Sequence, residues 1–199
     1  SLMFKEFKKE HSVKIINFKR QYPDFLFPGK SQHDKDVNPE LLNDNLQIID
    51  SINPFSWKKA VNCILEDPPN LLLLRYWNPF FAISYGYIVK KIKKISPDTK
   101  IVSICDNILP HERHFYDTFL TKYLFDNIDA FIVMSEKVES QLLAFYPDSH
   151  YKRVFHPIEN REMRYSKNQI KEEMGISSEK IILFYGFIRS YKGLDILIK

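Results

Sequence analysis

Glycine is scarce in this chain, which has only five glycines among 199 residues. They lie too far apart to build the loops GxGxxG or GxxxxGK[ST], whose closely spaced glycines let backbone amides approach phosphate groups. Neither a dinucleotide-binding fingerprint nor a P-loop can be assembled. A self-contained nucleotide site of either kind is therefore not expected.

Cysteine is equally rare, and Cys63 and Cys105 both lie in apolar surroundings. This is typical of small buried side chains in a reducing compartment rather than of a disulfide framework or a metal site. No apolar run approaches the ~18 residues of a membrane span, and no signal peptide is visible. We expect a cytoplasmic location, with the inner face of the membrane as the alternative. Ser1 and Leu2 resemble residues left by cloning and are excluded from fold reasoning.

The remaining composition is that of an ordinary globular protein, with 44% hydrophobic and 27% charged residues. The length suits one domain or slightly more than one. The net charge of +4 is compatible with phosphorylated or membrane-surface ligands but does not identify them.

Short apolar runs typical of buried strands alternate with segments of helical periodicity. The predicted strands are 13–18, 46–49, 71–77, 101–105, 130–134, 154–155 and 181–185. The predicted helices are 3–10, 56–66, 79–95, 113–127, 136–145 and 168–174, with another beginning after residue 193. This alternation predicts an α/β fold: a mostly parallel sheet with right-handed crossovers and helices on both faces.

One stretch places polar groups where such a fold binds ligands. The apolar run 101–105 ends in Asp106 and Asn107, and His111 and Glu112 follow shortly after. Ligands of open α/β sheets lie in the crevice beyond the carboxyl ends of the strands. The alternative is structural: Asp106 and Asn107 form a turn, and the His111–Glu112 pair opens the next helix.

Other strand ends supply further candidates. Trp77 and Asn78 lie at the C-terminal end of the strand 71–77, although Asn78 before a proline also fits a helix N-cap. The long aromatic loop 19–38 contributes Arg20, Tyr22 and Lys30 as candidate acceptor contacts. Its aromatic residues have a second interpretation, which is that they simply pin the loop to the core.

Four segments, taken together and in order, resemble a known family. They are FKRQYPDFLFPGKSQ (18–32), ICDNILPHE (104–112), FIVMSEKV (131–138) and GFIRSYKGLDILIK (186–199). In this order and spacing they are similar to the GT-B-fold glycosyltransferases, especially the retaining enzymes of glycosyltransferase family 4. The resemblance spans nearly the whole chain.

The resemblance implies two Rossmann-like domains facing each other across a cleft. The N-terminal domain holds the acceptor, and the C-terminal domain holds a nucleotide-diphosphate sugar as donor, with no cofactor and no obligatory metal. By resemblance, His111 lies at the reaction centre, with Asp106 and Asn107 shaping its loop. Arg189 and Lys192 would neutralise the departing diphosphate. Many members have arginine where this chain has Phe187, so Arg189 fits the pattern less well than Lys192.

The resemblance also predicts the domain boundaries. Residues 1–158 would form an acceptor-side domain lacking the family's first strand, 159–179 a linker with a short helix, and 180–199 the first strand–loop–helix of the donor domain. The chain would thus be truncated at both ends and transfer no sugar by itself. A missing central strand would leave sheet edges unpaired, through which copies could form a homo-oligomer.

The expected function is retaining sugar transfer to a glycan or lipid-linked acceptor in cell-surface polysaccharide or glycolipid synthesis, with peripheral membrane association. Nucleic acid is not an expected partner, because the lysines are scattered over helices rather than interleaved with stacking aromatics. The alternative is a non-catalytic, truncated module of the same fold that serves binding or assembly.

Overall fold

Strands and helices alternate along the chain, as the sequence predicts. The computed structural model describes residues 2–23, 45–110, 114–155, 165–186, 188 and 192–198. The strands are β1 (Ile15–Arg20), β2 (Asn45–Asp50), β3 (Leu71–Tyr76), β4 (Lys100–Cys105), β5 (Ala130–Val133) and β6 (Tyr151–Arg153). The helices are α1 (Leu2–Phe7), α2 (Pro54–Leu65), α3 (Ala82–Ile95), α4 (Asp117–Phe125), α5 (Glu136–Phe145), α6 (Lys167–Glu173) and α7 (Leu194–Leu197), and a 3₁₀ turn (Pro79–Phe81) precedes α3.

The chain divides into two units, Ser1–His156 and Pro157–Lys199. All strand pairs of the first unit are parallel, which confirms the predicted α/β class. β3, β4, β5 and β6 form one sheet in that order, and β1 and β2 form another. Among the strands of the described residues, β1 is hydrogen-bonded only to β2, and β3 only to β4.

The core of this unit lies between the sheets and the helices that connect the strands. In β4, Ile101, Ser103 and Cys105 are buried on one face, while Val102 and Ile104 on the other face are only partly buried. Helices α2, α3 and α4 pack against one another in chain order. Each of these helices follows a strand that runs parallel to its neighbours. Helices α3 and α4 therefore both begin on the side of the sheet where the strands end.

A close helix contact involves Gly86 of α3. A Cβ atom placed at Gly86 would lie 2.5 Å from Cε1 of Tyr123 in α4, well inside van der Waals contact. The absence of a side chain at this position lets the Tyr123 ring lie directly against the α3 backbone. The sequence gives no hint of this contact, because an isolated glycine in a helical pattern has no specific partner.

The orientation of α4 differs from the prediction. In the predicted helix 113–127, the large apolar residues at helical spacing are Tyr116, Phe119, Leu120, Tyr123 and Leu124, a pattern that predicts a stripe facing the core. The helix instead begins at Asp117, and its buried positions are Asp117, Thr121, Leu124 and Phe125. Leu124 is buried and Leu120 packs against the core, as the periodicity predicts, but Tyr116 and Phe119 are exposed. The buried Thr121 hydroxyl is hydrogen-bonded to the Tyr76 hydroxyl.

Two element boundaries also shift. Helix α2 begins at Pro54, earlier than the predicted residue 56, and is capped by Asn53, whose side chain accepts a hydrogen bond from the Phe55 amide. The Ser56 hydroxyl bonds to the backbone of Asp50. The last strand of the sheet is Tyr151–Arg153 rather than 154–155, because only those residues pair with β5 in register.

The second unit contains α6 and α7. Helix α6 begins at a capping box between Ser166 and Gln169, and Gly175 follows it with φ of +66°, as predicted for a helix closed by glycine. The predicted strand 181–185 is wrong: these residues form no strand, and most of their apolar side chains are exposed. A strand needs a ladder partner, and the described residues of this unit contain none.

Across the described ranges, no helix is both long enough and apolar enough to cross a bilayer.

Candidate functional site

The carboxyl ends of neighbouring strands bring predicted site residues to one edge. The registers pair Tyr76 with Cys105 at the ends of β3 and β4, so Trp77 and Asp106 follow at the same level. Likewise, Arg20 pairs with Asp50 at the ends of β1 and β2. We call the region formed by these strand ends the carboxyl edge. It is where ligands of open parallel sheets bind.

Asp106 is held there by a partner that the sequence analysis missed. Arg75 donates from Nε to Asp106 Oδ2 at 2.8 Å and from Nη2 to Oδ1 at 3.2 Å, a two-pronged ion pair. The Arg75 side chain remains more than half exposed, while the Asp106 side chain is mostly covered. The pair fixes the direction of the carboxylate and leaves guanidinium surface open to a ligand. The available signal was a charged residue after four consecutive leucines.

Tyr22 and Trp77, predicted separately as acceptor contacts, are neighbours in the structure. The Trp77 indole Nε1 donates to the Tyr22 hydroxyl at 3.3 Å. Tyr22 stacks on Phe80, with ring centroids 5.7 Å apart and planes at 16°. We call Tyr22, Trp77 and Phe80 the aromatic shelf. All three are partly exposed, so the shelf offers apolar ring surface beside polar strand ends, the combination that binds sugar rings or aromatic groups.

Arg20 is also placed at this edge, and its partner Asp50 was not predicted. Arg20 Nη2 lies 2.6 Å from Asp50 Oδ2. The backbone carbonyl of Asp50 accepts the Trp57 indole at 2.7 Å, which ties the strand end to α2. Arg20 Nε is buried and has no hydrogen-bond partner in the described part of the chain.

Asn78 acts as an N-cap, which is the structural alternative that its position before a proline indicates. Its side-chain oxygen accepts a hydrogen bond from the Phe80 amide at 2.9 Å and so caps the 3₁₀ turn. The amide nitrogen of Asn78 is not needed for this cap. A ligand contact by Asn78 stays a prediction. Asn107 is partly buried, and the next two residues, Ile108 and Leu109, are buried in the core.

A buried polar chain lies beneath the loop that follows Asn107. The Tyr76 hydroxyl is 2.8 Å from the Thr121 hydroxyl, which donates to the Asp117 carbonyl at 2.8 Å. The Asp117 carboxylate accepts the His114 amide at 2.7 Å. Burial raises the pKa of the Tyr76 phenol, against the opposing effect of the Thr121 hydrogen bond, so the phenol stays protonated. The chain joins the end of β3 to the start of α4.

Three predicted site residues, Lys30, His111 and Arg189, lie outside the described residues. Lys192 is described, in the second unit, and is exposed. A Cβ placed at Gly186 would lie 3.1 Å from Lys192 Nζ, so the ammonium group lies close to the backbone at Gly186, whose φ is +114°. Helix α7 begins directly after Gly193, whose φ is +67°.

Within the described ranges, no group of three histidine, cysteine, aspartate or glutamate side chains lies close enough to hold a metal ion. No protein-family description, curated protein or solved structure matches this chain.

Proposed function

We propose that this chain forms the acceptor side of an enzyme that transfers a sugar, with retention, from a nucleotide-diphosphate sugar to an acceptor hydroxyl. The resemblance of four ordered segments to retaining GT-B glycosyltransferases supports the reaction class. The parallel α/β fold, with its polar groups at one edge, is compatible with that family.

The observation that carries the proposal is the convergence of Tyr22 and Trp77 at the same carboxyl edge as the Arg75–Asp106 pair. A sugar ring presents apolar C–H faces and a rim of hydroxyl groups. The aromatic shelf can stack against the faces, and the fixed carboxylate and guanidinium can bond to the hydroxyls. An acceptor site for a glycan needs this pairing of ring surface and directed hydrogen-bonding groups.

Donor chemistry is assigned to residues that follow the family pattern. A departing diphosphate develops negative charge, so fixed cations aimed at it lower the barrier. Lys192, whose ammonium lies beside the Gly186 backbone, is the described candidate for this task, and Arg189 is its proposed companion. His111 is proposed to lie against the donor sugar.

The test uses the full-length gene product, including the donor domain that the resemblance implies. It is incubated with labelled UDP-, GDP- and ADP-sugars and a glycan acceptor, and the anomeric configuration of the product is read by NMR. We expect transfer with retention. His111→Ala should lower kcat roughly a hundredfold or more, the usual contribution of a positioned catalytic group. The exposed residue His11 supplies the matched control, His11→Ala.

An inverted product, or near-normal kcat in a folded His111→Ala protein, would contradict the proposal. The non-catalytic module predicts a third result, in which the protein binds a glycan through the aromatic shelf but turns over no nucleotide sugar. Titration of the glycan by calorimetry, with Trp77→Ala as the comparison, separates that result from simple inactivity.

A further inference from the structure

Asp117, at the start of α4, carries a buried carboxylate that the proposed sugar transfer does not use. It is 4% exposed and is the sole charged side chain among the buried residues of the described ranges. Its Oδ2 accepts the His114 amide at 2.7 Å, and Nδ1 of the His114 ring lies 3.7 Å from the same oxygen. Burying a charge is costly unless hydrogen bonds compensate for the lost water. The burial of this carboxylate therefore needs a reason.

Helix α6 shows that the start of a helix does not require a buried charge. There the Gln169 side chain accepts the Ser166 amide at 2.8 Å, a bond that also reaches back three residues. Both residues are exposed, and the acceptor is a neutral amide oxygen. A carboxylate forms a shorter and stronger bond than a neutral acceptor. The backbone before α4 is thus held more firmly than the beginning of a helix requires.

Asp117 is itself fixed to the core of the first unit. The Thr121 hydroxyl donates to the Asp117 carbonyl at 2.8 Å and lies 2.8 Å from the Tyr76 hydroxyl at the end of β3. Thr121 and Tyr76 are both buried. The Asp117 amide also donates to the His114 carbonyl at 3.2 Å. The backbone of His114 is therefore tied, through Asp117 and Thr121, to a strand of the sheet.

The chain is fixed on the other side of positions 111–113 as well. Ile108 and Leu109 are 0% and 6% exposed and belong to the hydrophobic core. His114, which follows position 113, is held by Asp117. The three residues 111–113, which include His111, thus have fixed backbone within two residues on either side. A reacting group is effective only where its position is closely restricted.

We propose that Asp117 is a positioning residue, which restricts the loop carrying His111 through its bond to the His114 amide. The inference rests on the proposed function, because the task of His111 comes from it. Asp117 is buried, so it acts through the loop backbone and not by contact with a substrate.

The experiment compares kcat and KM of the full-length gene product with those of Asp117→Ala. We expect kcat to fall roughly tenfold to a hundredfold, the cost of a misplaced reacting group, while KM changes less than about twofold. Asp117→Asn keeps an oxygen for the His114 amide and should recover most of the loss. In a His111→Ala background, Asp117→Ala should lower kcat no further, because the positioned group is already absent.

Asp126, at the other end of α4, provides the matched control. Its carboxylate accepts the Tyr146 hydroxyl at 2.6 Å, so Asp126→Ala also removes a hydrogen bond from an aspartate of this helix. The variant should unfold at a lower temperature than the parent, and its kcat should stay within about twofold of the parent value.

Hydrogen exchange, followed by mass spectrometry, is a second readout that needs no substrate. Amides of the segment 106–116 should exchange roughly tenfold faster in Asp117→Ala than in the parent, and at the parent rate in Asp126→Ala. If Asp117→Ala does not fold, Thr121→Val removes the next bond of the same connection. It should produce the same two effects at smaller size.

The inference is overturned if folded Asp117→Ala keeps the parent kcat, or if its loss adds in full to that of His111→Ala. It is also overturned if exchange in the loop is unchanged, or if Asp117→Asn is as impaired as Asp117→Ala. If the parent transfers no sugar, the proposed function fails, and the exchange experiment alone decides whether Asp117 restricts the loop.

Discussion

Two ion pairs at opposite ends of the same sheet show how its edges differ. At the carboxyl edge, Arg75 pairs with Asp106 where β3 and β4 end. At the opposite end, Lys93 of α3 pairs with Asp129, which directly precedes β5. Each pair joins one cation to one carboxylate, yet their surroundings differ.

Asp129 closes a local network of the fold. Its Oδ2 accepts both the Lys93 ammonium and the Ile101 amide at 2.6 Å, so one carboxylate connects a helix end to the start of β4. Burial alone would raise the pKa of Asp129, but the hydrogen bonds from Lys93 and Ile101 outweigh it and lower the pKa. At the carboxyl edge, Arg75 remains largely exposed beside the aromatic shelf. The Lys93–Asp129 pair therefore connects elements of the fold, whereas the Arg75–Asp106 pair remains accessible to a ligand.

The largest effect is expected at the structural pair. Asp129→Ala should lower the free energy of unfolding by roughly 2 kcal/mol, between the values for exposed and buried ion pairs, because Lys93 and the Ile101 amide both lose their acceptor. The matched change Asp106→Ala should cost less than about 1 kcal/mol. Urea unfolding of both variants checks the ranking, and equal losses would remove the contrast between the two ends.

The Asp129 carboxylate also makes the stability of the fold depend on pH. Its pKa is lowered in the folded state from an unfolded value of 3.8, so its stabilising effect is complete above that value. The effect is lost as the pH falls through the lower folded pKa. The Asp129→Asn variant should therefore lose less stability than the parent when the pH falls below about 4. Asp106→Asn is the control variant. A parallel decline in Asp129→Asn and the parent would contradict this assignment.

The next prediction concerns packing rather than charge, at the contact between α3 and α4. Gly86→Ala should destabilise by about 1–2 kcal/mol, because overpacking against the Tyr123 ring exceeds the gain in helix propensity. Adding Tyr123→Ala should make the alanine at 86 neutral or favourable in a double-mutant cycle of thermal unfolding. Additive losses in the cycle would show that the two residues do not meet.

A smaller loss of stability is expected for Tyr76→Phe. This variant tests a buried hydroxyl at the carboxyl edge, where the other groups discussed are accessible. The change removes one hydrogen bond to Thr121, and Thr121 keeps its bond to the Asp117 carbonyl. The expected cost is about 1 kcal/mol, measured by urea unfolding. Tyr22→Phe, whose hydroxyl lies in the partly exposed shelf, is the matched control and should cost less.

The smallest effect on stability is expected for Arg75→Ala, below about 1 kcal/mol for an exposed pair. Its effect should instead appear in function, as weaker acceptor binding and a higher KM with little change in thermal unfolding. Arg75→Lys should recover only part of the affinity, since an ammonium group cannot form the two-pronged pair. An unchanged KM would separate this edge from the acceptor site.

The sequence predicted much of the fold because local patterns decided it. Apolar runs such as 71–77 and 130–134 became strands, and Asn78 and Ser135 cap the turn and the helix that follow them. Parallel pairing followed from the alternation of strands and helices. The segment 181–185 misled the same reasoning, because an apolar β-branched run becomes a strand only where another strand is available to pair with it.

The site was harder to predict, since its contacts join residues far apart in the chain. Tyr22 and Trp77 were each selected for their place near a strand end, but nothing local shows that they touch. Arg75 was missed because it lies within a strand and its partner, Asp106, directly follows the next strand. Thr121 of α4 is buried and hydrogen-bonded to Tyr76, a contact that helical periodicity does not indicate.

The two cysteines differ in burial, so one of them can be labelled selectively. Burial raises the pKa of the Cys105 thiol to about 12, and its side chain is enclosed in the sheet. Cys63, on α2, is only partly covered. Maleimide reagents attack the thiolate, so a dye or spin label should attach at Cys63 alone in the folded protein. A single reporter on an outer helix is thus available without engineering, and labelling of Cys105 would signal unfolding.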